Sequence, residues 1–219
     1  MNIKEFEKKI GYAYNNVDLL KLALTHSSYG NEVYKDKLHN NERLEFLGDA
    51  VLELTVSDYL FNEECNMPEG SLSRKRASIV CEPTLAMCAR EINLPEVLFM
   101  GKGEELTGGR FRDSIVSDAM EAVIGSIYLD GGIECAREFI NKFILADIKD
   151  KQLFVDSKTI LQERIQAGYK EGPEYIITGE SGPDHCKVFE AEVRIEGRLI
   201  GSGKAVSYTH LRAHETPEH

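Results

Sequence analysis

The spacing of apolar residues changes once along this chain of 219 residues, and the change constrains the fold more than any other feature. Up to about residue 148, apolar positions recur at helical spacing, as in RLEFLGDAVLELTVSDYLF and SDAMEAVIGSIYL. Farther on, VFEAEVRI alternates apolar and charged residues, which is typical of a half-buried strand. We therefore predict an all-α unit followed by a small α+β unit.

The α+β unit is predicted to have the element order α-β-β-β. Its helix is SKTILQERIQAGYK, with Asp156 or Ser157 as the capping residue. PEYIITGE, VFEAEVRI and RLIGSG follow as strands, with a tight turn at Glu196-Gly197 between the last two. A second helix is needed after Gly203 to cover the sheet, and the apolar spacing for one is missing.

Composition and charge narrow the class of protein. The formal charge of −11 argues against a protein that coats nucleic acid non-specifically, but it allows an enzyme that places acidic groups around metal ions. No apolar run approaches the ~20 residues that span a bilayer, and the N-terminus lacks the features of a signal peptide, so we expect a cytoplasmic protein without a membrane partner. The five cysteines are expected as free thiols, with Cys81 and Cys88 buried on one helical face.

Acidic residues at helical spacing are the candidates for metal binding and catalysis. Glu42, Glu45 and Asp49 fall on one stripe of a helix, and Asp118 and Glu121 repeat the arrangement on a second strongly apolar helix. A single pair of acidic residues at this spacing most often lies on a solvent-exposed face of a helix. Two such groups on apolar helices that pack together would bring four carboxylates into one site. Those oxygen donors suit Mg²⁺ or Mn²⁺ and the activation of water against a phosphoryl or carbonyl centre.

The stretch NERLEFLGDAVL closely resembles the signature of the bacterial ribonuclease III family. The resemblance continues through ALTHSSYGNE, EGSLSRKRASIVCEPTLA, LFMGKGEELTGGRFRDSIVSDAMEAVIGSIYLDGG and the α-β-β-β unit, and covers residues 1 to about 204. It implies an all-helical endonuclease domain at 1–148, a linker at 149–155 and a double-stranded RNA-binding domain at 156–205 that lacks its last helix.

The resemblance also implies roles for individual residues. The metal-binding catalytic carboxylates of the family correspond to Glu45, Asp49, Asp118 and Glu121. Glu42 and Glu69 correspond to two further acidic positions near the catalytic valley. The implied reaction is Mg²⁺-dependent hydrolysis of double-stranded RNA, with Mn²⁺ as a substitute, by a two-metal mechanism that leaves 5′-phosphate and 3′-hydroxyl ends. The family's substrates are ribosomal RNA precursors and structured messenger RNA.

Cleavage of both strands implies two active centres and therefore a homodimer. Phe46 corresponds to the family's dimer residue, although an ordinary core phenylalanine would give the same sequence. Gln162, Glu163 and His185 correspond to positions that enter the minor groove of duplex RNA. Each also has an ordinary explanation, as a solvent-facing helix pair and a turn residue. The lysine-rich final helix of the family is absent after GSGKA.

Two other functions stay open from the residues alone. A non-catalytic duplex-RNA-binding protein on the same fold is disfavoured because all four metal carboxylates are present. A metal-dependent phosphohydrolase of small molecules is disfavoured by the RNA-binding unit.

The final stretch, SYTHLRAHETPEH, contains His210 and His214 at helical i, i+4 spacing. Without a third ligand, such a pair is a weak metal site. Codons that encode VSYTHLRAHET can also spell a DNA adapter sequence used in library preparation. We therefore expect residues 206–219 to be a translated adapter, with native sequence ending near Lys204, and to be poorly ordered.

Overall fold

The computed structural model describes residues 1–146, 174–181, 188–195 and 198–205. The chain divides into two compact units, Met1–Val155 and Asp156–His219. The predicted helix over 157–170, the turn at 196–197 and the tail at 206–219 lie outside the described residues.

The first unit is helical, as predicted. Its helices are α1 (Ile3–Ile10), α2 (Val17–Ala23), α3 (Ser27–Tyr29), α4 (Glu42–Glu63), α5 (Glu69–Val80), α6 (Glu82–Glu91), α7 (Lys102–Leu106) and α8 (Asp113–Ile140). Short 3-10 turns at Leu94–Val97 and Gly109–Phe111, and π turns at Gly30–Tyr34 and Asn141–Leu145, complete it. None of the helices among the described residues is both long and apolar enough to cross a bilayer.

The core of this unit surrounds α8. Nearly every side chain from Ile115 to Ile127 on that helix is buried. The largest side chains that are fully buried in the unit include Phe6, Leu20, Leu52, Ile79, Leu85, Met120 and Ile124. Because the segment of α8 from Ile115 to Ile127 is mostly apolar and enclosed by its neighbours, a carboxylate in it loses contact with water unless it lies at an opening.

The expectation that Cys81 and Cys88 are buried on one helical face is wrong. The stretch SLSRKRASIVCEPTLAMCAREI forms two helices, because Pro83 lacks an N–H group and its ring would clash with the preceding helical turn. Cys81 is the extended residue between α5 and α6, so it does not share a helical face with Cys88 and is only half-buried. Four of the cysteines, Cys65, Cys81, Cys88 and Cys135, are free thiols as expected.

Backbone hydrogen bonds fix the entrance to α4. Thr25 and Phe99 form a parallel bridge, in which the His26 N–H donates to the Phe99 carbonyl over 3.0 Å. The Asn41 N–H donates to the Thr25 carbonyl over 2.9 Å. The segment after α2 therefore holds both the 98–101 segment and the first turn of α4 in place.

Asp130 on α8 ties the N-terminal segment to the core. Its carboxylate accepts hydrogen bonds from the Tyr12 hydroxyl over 2.8 Å, the Asn15 N–H over 2.9 Å and the Asn16 N–H over 2.7 Å. Just beyond it, α8 is interrupted at Gly132, where φ is 81°. That left-handed conformation favours glycine, because a side chain there would be strained.

The second unit contains three antiparallel strands in the order β1 (Glu174–Ser181), β2 (Val188–Ile195) and β3 (Arg198–Ala205). Ile177 pairs with Ala191, and Ala191 pairs with Gly203 on the other side. Glu192 and Arg194 lie on one face of β2, since their side chains form an ion pair of 2.8 Å. The predicted strand over VFEAEVRI and the three-stranded sheet are confirmed.

Candidate active site

The site is built where α4 and α8 cross at backbone contact. A Cβ atom placed on Gly48 would lie 1.8 Å from the carbonyl oxygen of Glu121, and one placed on Gly125 would lie 2.3 Å from that of Leu44. Real Cβ atoms do not approach other atoms so closely, so these positions require glycine. The neighbouring carboxylates of the two helices are thereby brought together across the crossing.

The pKa values of Glu121 and Glu45 show that charges on both helices act at one place. Burial raises the pKa of Glu121 to about 8, and the negative charges of Asp49, Glu45, Asp118 and Glu53 add to the shift. Burial also raises the pKa of Glu45, with contributions from Asp118, Glu42 and Asp49. The residues that the spacing selected on two separate helices therefore form one electrostatic cluster.

The cluster has no cationic partner in the part of the chain that the structure describes. Elsewhere in the helical unit, acidic residues pair with arginine or lysine, as Asp113 does with Arg90 and Glu105 with Arg110. Neither Glu45 and Asp49 on α4 nor Asp118 and Glu121 on α8 forms such a pair with a described residue. Uncompensated carboxylates that are partly removed from water favour binding of a cation.

A hard divalent cation fits this donor set. Carboxylate oxygens are the ligands that Mg²⁺ and Mn²⁺ prefer. Among the described residues, no three His, Cys, Asp or Glu side chains already stand in an arrangement that would hold a metal ion. The fit therefore rests on the chemistry of the donors and on their uncompensated charge.

The two further acidic residues of the prediction, Glu42 and Glu69, differ in their relation to the cluster. Glu42 is the first residue of α4 and acts on the pKa of Glu45, so it lies beside the cluster. Glu69 is the first residue of α5, and its carboxylate accepts a hydrogen bond of 2.8 Å from Ser73 on the same helix. It is not among the groups that act on the pKa values of Glu45 or Glu121. A role for Glu69 stays a prediction.

The sequence reasoning missed two residues that lie close to the site. Glu53 acts on the pKa of Glu121, and its position one turn after Asp49 on the acidic stripe of α4 could have revealed it. His26 lies near Asp118, since the two groups act on each other's pKa. Helical spacing could not reveal His26, because it lies between two helices.

Phe46 is 81% exposed, so the interpretation as an ordinary core phenylalanine is wrong. Leu54 and Phe61 lie on the same side of α4 and are also exposed, at 60% and 73%. The three residues form an apolar stripe beside the acidic one. The predicted RNA contacts Gln162, Glu163 and His185, and the tail histidines His210 and His214, lie outside the described residues.

Two family models match the chain. Residues 16–148 match a ribonuclease-III-like model, and residues 157–207 match the double-stranded RNA binding motif. Together they include the carboxylate cluster and the three strands.

Whole proteins and solved structures agree with these matches. The chain is 47% identical over 206 residues to ribonuclease 3 of Staphylococcus aureus strain JH9, which covers 92% of this chain and 85% of that protein. The nuclease domain of ribonuclease III from Campylobacter jejuni is 43% identical with a TM-score of 0.62, over 65% of this chain and 96% of that one. A second structure of that domain is 42% identical with a TM-score of 0.61, and the match covers 66% of this chain and 94% of that one. The chain therefore belongs to the ribonuclease III family and is an endoribonuclease specific for double-stranded RNA, of a family that depends on divalent metal ions.

Proposed function

We propose that Glu45, Asp49, Asp118 and Glu121 hold Mg²⁺, with Mn²⁺ as a substitute, and that this centre hydrolyses phosphodiester bonds of duplex RNA to 5′-phosphate and 3′-hydroxyl ends. The observation that carries the proposal is the backbone contact of α4 and α8 at Gly48 and Gly125, which brings the acids of the two helices together. In keeping with it, burial and the other carboxylates of the cluster raise the pKa of Glu121 to about 8. A group of acids in this state is costly without a cation and is suited to binding one.

The residues have distinct tasks in this reaction. Mg²⁺, when held there, would supply a nucleophilic water and would neutralise charge on the leaving 3′ oxygen. Asp49 and Glu45 present oxygens from α4, and Asp118 and Glu121 present oxygens from α8. Near neutral pH the carboxyl group of Glu121 would keep its proton in the metal-free protein and would release it as a cation is held there. Glu42 and Glu69 add negative charge at the edge of the valley.

The proposed active form is a homodimer joined through the catalytic domain by Phe46. An apolar stripe that includes Phe46, Leu54 and Phe61 is costly in water and is typical of a surface that another protein covers. The Campylobacter jejuni nuclease domain, which is similar to this unit, is described in terms of dimer formation. Two centres in one dimer would cut both strands and leave short 3′ overhangs.

RNA binding is assigned to the second domain, at 156–205, after a catalytic domain at 1–148 and a linker at 149–155. Gln162, Glu163 and His185 would contact the minor groove by shape and 2′-hydroxyl groups. Support comes from the double-stranded RNA binding motif that matches 157–207. Residues 206–219 are proposed as a non-native tail. The substrates would be ribosomal RNA precursors and structured messenger RNA in the cytoplasm.

A cleavage assay on long duplex RNA tests the assignment of the carboxylates. The wild-type chain should cut in Mg²⁺ and not in EDTA. The variant Glu121→Gln should lose cleavage but retain duplex binding in Ca²⁺, whereas Glu138→Gln, the same change at an exposed position on α8, should cut like the wild type. Equal cleavage by Glu121→Gln and the wild type would refute the proposal. Hydrolysis of a nucleotide monophosphate with intact duplex RNA would point to a phosphohydrolase, and binding without any hydrolysis to a non-catalytic RNA-binding protein.

Analytical ultracentrifugation tests the dimer. Phe46→Ala should shift the protein towards monomer at concentrations where the wild type is a dimer. Phe111→Ala removes a phenylalanine that is 61% exposed and lies outside α4, and this variant should remain a dimer. An unaltered dimer in Phe46→Ala would remove Phe46 from the interface.

A further inference from the structure

Two adjacent asparagines precede α4, and both are buried, with 4% of each residue exposed. The amide of Asn40 is used within the fold. Its Nδ2 atom donates to the Lys37 carbonyl over 3.1 Å, and its Oδ1 atom accepts from the Glu42 N–H over 3.1 Å. The amide of Asn41 forms no hydrogen bond with any residue that the structure describes. The two side chains are therefore equally buried, but only the first has partners within the protein.

Asn41 is an exception among the buried polar side chains of the described residues. The other six each form a side-chain hydrogen bond, and they are Thr25, Asn40, Thr55, Thr84, Ser117 and Ser126. A buried polar group without a partner costs free energy, because it has given up its hydrogen bonds to water. A ligand that supplies the missing bonds to Asn41 would remove that cost.

The backbone explains why Asn41 does not cap α4 with its side chain. An asparagine that caps a helix usually has an extended backbone, from which its side chain reaches the N–H groups of the first turn. Asn41 instead has φ −82° and ψ −12°, which is a helical conformation. Its carbonyl oxygen accepts from the N–H groups of Leu44 and Glu45 over 2.9 Å each. Asn41 therefore belongs to the helix, and its amide is left without a task in the fold.

The acidic stripe of α4 continues by one turn to Asn41. Residues four apart in a helix are neighbours, about 5–6 Å apart at their Cβ atoms, so Asn41 lies beside Glu45. Gly48 lies on the same side of the helix and contacts α8 at the crossing. The Asn41 amide is not among the fully enclosed atoms without a partner in the described residues, so its two polar atoms reach the surface. A neutral amide is thus accessible next to the carboxylates.

We propose that the Asn41 amide binds the ribose 2′-hydroxyl of a nucleotide beside the bond that is cut, and so helps the enzyme to select RNA. The proposal rests on the proposed function, because it takes the acids of α4 and α8 as the catalytic centre. An amide both donates and accepts hydrogen bonds, and so does a 2′-hydroxyl, whereas a phosphate oxygen only accepts. The 2′-hydroxyl is also the group by which a protein distinguishes RNA from DNA at a given site.

Two substitutions remove the amide in different ways. Asn41→Ala deletes it, and Asn41→Leu replaces it with an apolar group of similar size. Neither change breaks a hydrogen bond with a described residue, so the Tm in EDTA should stay close to that of the wild type. Asn40→Ala breaks two hydrogen bonds and should lower the Tm. Asn62→Ala removes an exposed amide from the last turn of α4 and is the control for cleavage.

The experiment compares kcat/KM on a short RNA duplex with kcat/KM on a series that carries one 2′-deoxynucleotide at each position near the cut. On the all-ribose duplex, both Asn41 variants should lose about 3–10-fold, the effect of one hydrogen bond, and Asn62→Ala should lose nothing. One 2′-deoxy position should cost the wild type the same factor and should cost the Asn41 variants nothing further. The Mg²⁺ concentration for half-maximal cleavage should be equal in all these proteins.

Wild-type kcat/KM in both Asn41 variants would overturn the proposal. So would losses that multiply at every 2′-deoxy position, because the amide and the hydroxyl group would then act independently. A raised half-maximal Mg²⁺ concentration would assign the amide to the metal ions, and a fall in Tm as large as that of Asn40→Ala would assign it to the fold, and either result overturns the proposal. If Glu121→Gln cleaves like the wild type, the proposed function itself fails. If Glu121→Gln is inactive while both Asn41 variants are fully active, only the role of Asn41 fails.

Discussion

Two carboxylates on α8, Glu121 and Asp130, have opposite environments. Burial and neighbouring negative charges raise the pKa of Glu121 to about 8. Hydrogen bonds from Asn15, Asn16 and Tyr12 outweigh a burial effect and lower the pKa of Asp130. One helix thus carries an acid that pairs with none of the described residues and an acid surrounded by donors. The first is arranged for binding a cation, and the second stabilises the fold.

The comparison separates function from stability by a measurable property. An acid whose pKa is raised destabilises the folded protein once it ionises, whereas an acid whose pKa is lowered stabilises it. Substitutions at the two kinds of site should therefore have opposite consequences for stability and activity.

The largest effect is expected at the crossing of α4 and α8, which brings Glu121 close to the other acids. Gly125→Ala places a methyl group within 2.3 Å of the Leu44 carbonyl oxygen, so α4 and α8 must separate. We expect a loss of about 3 kcal/mol or more in the free energy of unfolding, together with loss of cleavage. Urea denaturation and the duplex assay measure both. Gly103→Ala is the control, because a Cβ atom there meets nothing within 4 Å. Similar stability of the two variants would contradict backbone contact at the crossing.

Neutralising Glu121 should raise stability in EDTA while abolishing cleavage. Its pKa is higher in the folded protein, at about 8, than the ordinary value of 4.5, so the folded state binds the extra proton between those values. Wild-type stability should fall as pH rises from 4.5 to 8, and Glu121→Gln should fall less. Thermal unfolding across this range provides the test. Parallel pH profiles for the two proteins would show that Glu121 ionises normally.

Asp130→Asn should have the opposite effects to Glu121→Gln. It should lower stability and leave cleavage unchanged at a temperature where the protein is folded. The loss of an ionised acceptor should cost about 1–2 kcal/mol in the free energy of unfolding. Because the pKa of Asp130 is lowered, its contribution is present above the ordinary value of 3.8 and is lost as pH falls below it. Asp18→Asn, in an exposed pair with Lys21, is the control. A loss of cleavage in folded Asp130→Asn would break the distinction between the two acids.

The smallest effect is expected at Glu105, whose pKa is lowered mainly by hydrogen bonding to Arg110. The pair is bidentate, with distances of 2.8 Å and 2.5 Å, but the Glu105 side chain is 46% exposed. Glu105→Gln should therefore lower the free energy of unfolding by less than about 1 kcal/mol. Chemical denaturation at low and high salt should show that the difference shrinks as salt is added. A difference as large as that of Asp130→Asn would contradict this ranking.

Helical spacing places Glu45 with Asp49, and Asp118 with Glu121, on single helix faces, whereas the choice of these four as one set came from the family resemblance. The sequence also predicted the change from helices to strands, which the alternation in β2 makes visible. It could not predict that Gly48 and Gly125 face each other, because a glycine in a helix does not reveal its partner. Phe46 could not be assigned to the core or the surface, since the neighbouring residues of α4 are apolar as well. The His26 N–H donates to the Phe99 carbonyl, a contact distant in sequence that no local pattern encodes.

The backbone contact at Gly48 and Gly125 also matters for protein engineering. Main-chain atoms set the separation of α4 and α8 there, so the spacing of the facing acids does not depend on how larger side chains interdigitate. A designer who transfers the four acids to another helical bundle should therefore transfer both glycines with them. Without these two residues, the recipient helices would stand apart by the thickness of a side chain, and the copied acids would be too far apart to act on one ion.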